Sequence, residues 1–139
     1  MSLLYVEAYG IVDNGDGYWI GGHVAEQSGM VSCGIENGGT WIIEVSDDGE
    51  LEKENCFDSL GVYGGMFNAK GEGFFSNGCA INDYGKFQLN VTRFNHELEM
   101  VWSKNYGNED LSFIDIPRGT ATTDGGVTAK YEATETDPF

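Results

Sequence analysis

The sequence predicts an all-β chain, an antiparallel meander of about 10–11 short strands in two and a half four-stranded, blade-like repeats. Three observations predict it. Apolar residues alternate with a period of two, and no stretch sustains a helical period. Turn signals built from Gly, Asn and Asp recur about every ten residues. A longer strand-and-turn pattern then returns after roughly fifty positions, the spacing of a repeat architecture.

The elements follow in order. Asn14-Gly15-Asp16-Gly17 marks the first hairpin turn, and Tyr18-Trp19-Ile20 opens the strand after it. Asn37-Gly38-Gly39 is the next break. From Thr40 to Ser46 the alternation predicts a half-buried strand, with Trp41, Ile43 and Val45 facing the core and Thr40, Glu44 and Ser46 facing out. Asp47-Asp48-Gly49 ends it. The strand from Glu50 to Asn55 sets Glu50, Glu52 and Glu54 on one face and Leu51, Lys53 and Asn55 on the other, the pattern of a charged, solvated sheet edge.

Lys70-Gly71-Glu72-Gly73 and Asn82-Asp83-Tyr84-Gly85 bound the strand that begins Phe74-Phe75-Ser76. Lys86 to Thr92 alternates again, with Phe87, Leu89 and Val91 inward and Gln88, Asn90 and Thr92 outward. Asn95-His96-Glu97 is a turn without the usual Asp-Gly, Val101 to Tyr106 is a further strand, and Thr123-Asp124-Gly125-Gly126 is the last strong turn. Only 2 prolines interrupt the chain, as expected where most backbone N–H groups serve a ladder.

The repeat emerges when these elements are aligned. Asp16-Gly17-Tyr18-Trp19-Ile20 is echoed by Glu72-Gly73-Phe74-Phe75-Ser76 and again by Gly125-Gly126-Val127-Thr128. Trp41 to Ser46 with Glu50-Leu51 is echoed by Phe87 to Thr92 with Glu97-Leu98, at offsets of 46 and 47. The chain thus reads as one all-β domain over 4–139, with repeat-like units at 4–58, 60–107 and 108–134. Each full cycle holds four strands, the content of one β-propeller blade.

On these residues the chain resembles a family. Phe87 to Asn95, then Val101-Trp102-Ser103-Lys104-Asn105-Tyr106-Gly107, then Thr122-Thr123-Asp124-Gly125-Gly126 is similar to the repeat of propeller-like surface proteins of Bacteroidetes-type bacteria, which have no assigned activity. The resemblance implies a secreted or cell-surface protein. A closed propeller typically needs four to eight blades, so two and a half cycles leave edges and apolar faces to be covered. Three arrangements would do so: self-association into a homo-oligomer, membership of a longer chain, or a single closed calycin-like meander barrel.

Composition bounds the function. Seven Lys+Arg against 23 Asp+Glu leave a formal charge of −16, which argues against nucleic acid as a partner, since a surface for its phosphates needs clustered Lys and Arg, and disfavours anionic membranes; no membrane insertion is expected. Forty per cent hydrophobic and 13% aromatic residues exclude disorder. No apolar run reaches the roughly 18 residues of a membrane-spanning helix. The N-terminus has no basic n-region, so either the signal is missing or the protein is cytoplasmic. Cys33, Cys56 and Cys79 cannot all pair within one chain; they read as buried small hydrophobes in strands, with one disulfide plus a free thiol as the alternative.

No catalytic residue, metal ligand or cofactor is predicted. His23 and His96 lack ligand spacing, and Asp13-Asn14-Gly15-Asp16-Gly17 lacks the distal bidentate Glu of a calcium loop. Most aromatics fall at core-facing periods. Tyr63, Tyr84 and Tyr106, beside glycine-rich loops, are the candidate ligand-binding residues, suited to stacking on a sugar or anchoring a protein. The expected function is a non-enzymatic β-repeat module that binds a carbohydrate or protein partner. The alternatives are a small acidic inhibitor or immunity-type protein steered onto a basic partner, and a barrel holding a small apolar ligand.

Overall fold

The computed structural model describes residues 6–24, 39–57, 65–69, 72–81, 87–107, 111–113, 118–121, 127–130 and 133–135. The first four strands, β1 (Val6–Asp13), β2 (Gly17–Val24), β3 (Gly39–Ser46) and β4 (Leu51–Phe57), form an antiparallel meander, sheet A, in the order β1-β2-β3-β4. The next four, β5 (Gly65–Asn68), β6 (Phe74–Ile81), β7 (Phe87–Phe94) and β8 (Met100–Tyr106), repeat that order as sheet B. Then come β9 (Leu111–Phe113), β10 (Arg118–Ala121), β11 (Val127–Lys130) and β12 (Ala133–Glu135), paired as β10-β11 and β9-β12. The described residues are all-β, and their sheets are open; no closed barrel is formed.

The two four-stranded sheets are built to the same plan and share a bulge in the ladder between their third and fourth strands. In sheet A the β3–β4 ladder pairs Glu44 with Lys53 and then Val45 with Leu51, leaving Glu52 as a bulge. Sheet B pairs Arg93 with Trp102 and then Phe94 with Met100, leaving Val101 as the same bulge. The turns that follow match as well. Ser46 N–H bonds to Glu50 O and Gly49 N–H to Ser46 O, while Asn95 N–H bonds to Glu99 O and Leu98 N–H to Asn95 O. Structural equivalence therefore joins Ser46 to Asn95 and Lys53 to Trp102, three residues beyond the offset of 46 that sequence similarity indicated.

Gly17 and Gly73, at the starts of β2 and β6, are equivalent for a steric reason. A Cβ on Gly17 would run into the carbonyl oxygen of Val45, and one on Gly73 into that of Phe94. Gly73 adds a left-handed φ of 83°. Glycine is required at both because the hairpin turn brings the neighbouring strand's backbone within van der Waals distance.

The sheets stack through one apolar cluster. Val12, Trp19 and Ile42 of sheet A meet Met66, Phe74, Phe94 and Leu98 of sheet B, with half-buried Phe57 against them. Trp19 and Phe74 lie 5.0 Å apart, Phe57 and Phe94 5.3 Å, and Phe74 stacks on Phe94 at 4.9 Å. Side chains this large dominate the stacking energy, each contributing about 2–3 kcal/mol on full burial. A second cluster of Ala69, Phe75, Leu89 and Val91 lies on the other face of sheet B, where β9 runs beside β7 and β10 beside β5.

This stacking corrects the predicted facing of β3. Ile42 and Thr40, at 0% and 1% exposed, point into the interface with sheet B; Trp41, Ile43 and Val45 are only half-buried on the opposite face. In β7 both faces are buried, because the sheet is covered on two sides. Asn90 and Thr92 tolerate this by bonding to each other, to Ser103 and to Asn105 across the ladder. Of the aromatics, Trp19, Phe74 and Phe75 are buried, and Tyr18 is 37% exposed.

Among the described residues no helix is long and apolar enough to cross a membrane. Cys56 is disulfide-bonded, which corrects the reading of all three cysteines as reduced core residues.

Candidate functional site

The turn ends of the two sheets meet beside the β7–β8 turn and enclose a cleft of about 380 Å³ with an adjoining hollow of about 230 Å³. Asn14 and His96 line both. The first turn is held by its own side chains: Gly15 N–H donates to Asp13 Oδ1 at 2.8 Å and Asp16 N–H to Asn14 Oδ1 at 2.9 Å. These carboxylate and amide oxygens cap backbone donors, as in an Asx turn. No group of three or more metal-ligating side chains occurs among the described residues.

The floor of the cleft is a row across three strands. Trp19, Glu44 and Lys53 are direct neighbours in the β2–β3–β4 ladder and point to the same face. Glu44 Oε1 accepts from the Trp19 indole N–H at 2.9 Å and from Asn14 Nδ2 at 3.2 Å, and Glu44 Oε2 lies 3.5 Å from Lys53 Nζ. Lys53 Nζ reaches on to sheet B, donating to the His96 carbonyl at 3.1 Å and to Glu97 Oε1 at 3.3 Å. Burial by itself would lower the pKa of this ammonium. The Glu97 hydrogen bond and the charges of Glu44 and Glu97 outweigh that and raise it above 10.5.

Two further bonds fix the cleft walls. Asn55 Nδ2 donates to the Leu98 carbonyl and Asn68 Nδ2 to the Asp13 carbonyl, each at 2.9 Å. The His96 ring stands edge-on to Trp19 at 5.2 Å. The equivalent row in sheet B is Phe75, Arg93 and Trp102, with the Arg93 guanidinium 5.7 Å from the Phe75 ring. The carboxylate–ammonium pair of sheet A thus has no counterpart in this row.

Acid dominates the rim. Exposed Asp16 and Glu52 line the cleft and exposed Glu72 the hollow, Asp13, Asp47, Asp48 and Glu50 stand exposed at the same end, and the cation among the lining residues, Lys53, is engaged by two carboxylates.

Of the predicted ligand-binding tyrosines, Tyr63 and Tyr84 lie outside the described residues. Tyr106 is 45% exposed at the end of β8 remote from the β7–β8 turn, so it takes no part in the cleft. Sequence reasoning read Glu44 as an outward-facing residue of a half-buried strand, Lys53 and Asn55 as one face of an edge strand, and His96 as a turn residue. The one signal that could have singled them out is the pairing of polar Glu44 with Lys53 across a hairpin, at positions where the second repeat carries Arg93 and Trp102. No family model matches the chain, and no curated protein matches it either.

Proposed function

We propose that this chain is a non-enzymatic β-repeat binding module that engages a protein partner through the turn end of its stacked sheets, the partner presenting a basic surface. The observation that carries this reading is the cleft itself: a rigid polar floor of Trp19, Glu44 and Lys53 inside a rim of exposed carboxylates. Such a rim attracts Lys and Arg side chains and speeds their encounter. Both oxygens of Glu44 are engaged, which suits it to holding the cleft open rather than to shuttling protons. A carbohydrate partner is less well supported, because Trp19 is 1% exposed and leaves the cleft without an aromatic platform. The disulfide at Cys56 supports an oxidising setting outside the cytoplasm.

The test is a titration with an arginine-rich peptide and, separately, with neutral oligosaccharides, followed by amide and indole chemical shifts. Shifts concentrated at Asn14, Asp16, Lys53, His96 and the Trp19 indole with the peptide alone are expected. Peptide shifts spread evenly over the acidic surface, or cleft shifts with the neutral sugar, would overturn the reading.

A further inference from the structure

His96 is a titratable residue that lines both the cleft and the hollow at the turn end of the sheets. Its place there is fixed through the backbone. Lys53 Nζ donates to the His96 carbonyl at 3.1 Å, and Asn95 Oδ1 accepts from the Glu97 and Glu99 N–H groups on the far side of it. The ring is exposed, makes no hydrogen bond among the described residues, and stands edge-on to Trp19 at 5.2 Å. Charged groups face it from each surrounding element. Lys53 and Glu52 of β4, Glu44 of β3 and Asp16 of the β1–β2 turn line the cleft with it, Glu72 of the β5–β6 turn lines the hollow, and Glu97 and Glu99 follow it in its own turn. Glu44 and Glu97 are paired with Lys53, and Glu99 accepts from Asn95. The carboxylates of Asp16, Glu52 and Glu72 have no partner among the described residues, so they are what a cation entering either cavity meets.

We infer that His96 is a pH switch on this cleft: as neutral imidazole it leaves those carboxylates to basic side chains of the partner, and as imidazolium it competes for them, so that the partner is held near neutral pH and released in mild acid. The inference rests on the proposed binding of a basic partner and adds the regulation of that site. Of the side-chain types that line the cleft, imidazole is the one whose charge ordinarily changes between pH 5 and 8. Its position gives the sign. A positive charge on the wall common to both cavities stands beside whichever one the partner enters, and like charges brought together there oppose binding. The second of the 2 histidines, His23, pairs with Thr40 at the end of β2 away from the β1–β2 turn, so it takes no part.

The test is the affinity of a histidine-free, arginine-rich peptide, whose own charge is constant, measured at pH 7.5 and 5.5 at one ionic strength through the Trp19 indole shift. The wild type is expected to bind about threefold or more weakly at the lower pH. His96→Gln is expected to bind alike at both, and His23→Gln to keep the wild-type dependence. Linkage requires the reverse effect as well: the His96 ring resonances are expected to titrate at lower pH with peptide bound than without it. Binding at pH 7.5 that is indifferent to pH, a dependence kept by His96→Gln or lost in His23→Gln, or a His96 titration that the peptide does not lower would each overturn the switch while the proposed function stands. No peptide binding at pH 7.5 would overturn both.

Discussion

Leu98 occupies in the β7–β8 turn the position that Gly49 occupies in the β3–β4 turn, and both hold a left-handed backbone, φ 62° and 84°. For glycine this conformation is free of strain; for leucine it costs roughly 1–2 kcal/mol. The difference lies in what surrounds them. Gly49 faces open space, whereas the Leu98 side chain is fully buried in the cluster that joins the two sheets. Burial worth about 2–3 kcal/mol offsets the strain. The second repeat has thus turned a hairpin tip into a stacking contact.

Replacing this leucine separates the two effects. Leu98→Gly relieves the backbone and loses the burial, so a net destabilisation of about 1 kcal/mol is expected. Leu98→Ala keeps most of the strain and opens a cavity, with an expected loss of about 3 kcal/mol. Urea denaturation of both variants reads the order, and Leu98→Gly being the less stable of the two would contradict the account.

The paired glycines at the starts of β2 and β6 are expected to resist any side chain. Gly73→Ala sets a Cβ against the Phe94 carbonyl at a left-handed φ, and Gly17→Ala sets one against the Val45 carbonyl. Each is expected to cost more than about 2 kcal/mol, with Gly73 the worse because backbone strain adds to the clash. Thermal melts compared with Gly15→Ala, where a Cβ meets nothing within 4 Å although φ is also positive, isolate the steric part.

Glu44 holds the cleft floor through three donors. Glu44→Ala leaves the Trp19 indole N–H without its acceptor in a nearly dry site, for an expected loss of about 1–3 kcal/mol. Glu44→Gln retains an oxygen for Trp19 and Asn14 and gives up the pair with Lys53, so its loss is expected to be smaller. The indole N–H resonance of Trp19 should shift in both variants and lose hydrogen-exchange protection only in the alanine one.

Lys53 predicts a pH dependence in the alkaline range. Its folded pKa is raised, and an unfolded lysine titrates near about 10.4. The stabilisation it contributes is therefore fully present below that unfolded value and is lost as pH climbs through the higher folded one. Because the side chain is 35% exposed, the contribution near neutrality is expected to stay below about 1 kcal/mol. Chemical denaturation of the wild type and Lys53→Met from pH 8 to 12 should show the two converging only above 10.5.

One bond and three cysteines fix a thiol count. Cys56 is disulfide-bonded, so the denatured, unreduced chain is expected to take up one alkyl group and the reduced chain three. Intact mass before and after reduction checks it. Loss of the bond is expected to cost about 2–4 kcal/mol of stability.

Much of the strand order was legible in the sequence, because a period of two and the glycine-bearing turns at Asn14–Gly17 and Asp47–Gly49 are local signals. The facing of β3 was not. With Trp41, Ile43 and Val45 on one side and Ile42 on the other, hydrophobicity favours the wrong face; burial went to Ile42 because sheet B covers that side. The candidate cleft was not legible either. Glu44 and Lys53 share the β3–β4 hairpin, but His96 belongs to the β7–β8 turn, and 43 residues separate Lys53 from the carbonyl it grips.

The sequence by itself determined the all-β class, the hairpin turns and the existence of a repeat, since each rests on neighbours along the chain. Only the tertiary structure decided that the repeats stack front to back, which face of each strand is core, and that Leu98 is an anchor where Gly49 is a tip. Those are outcomes of sheet-on-sheet burial, which depends on which surfaces meet and leaves no local mark on either strand.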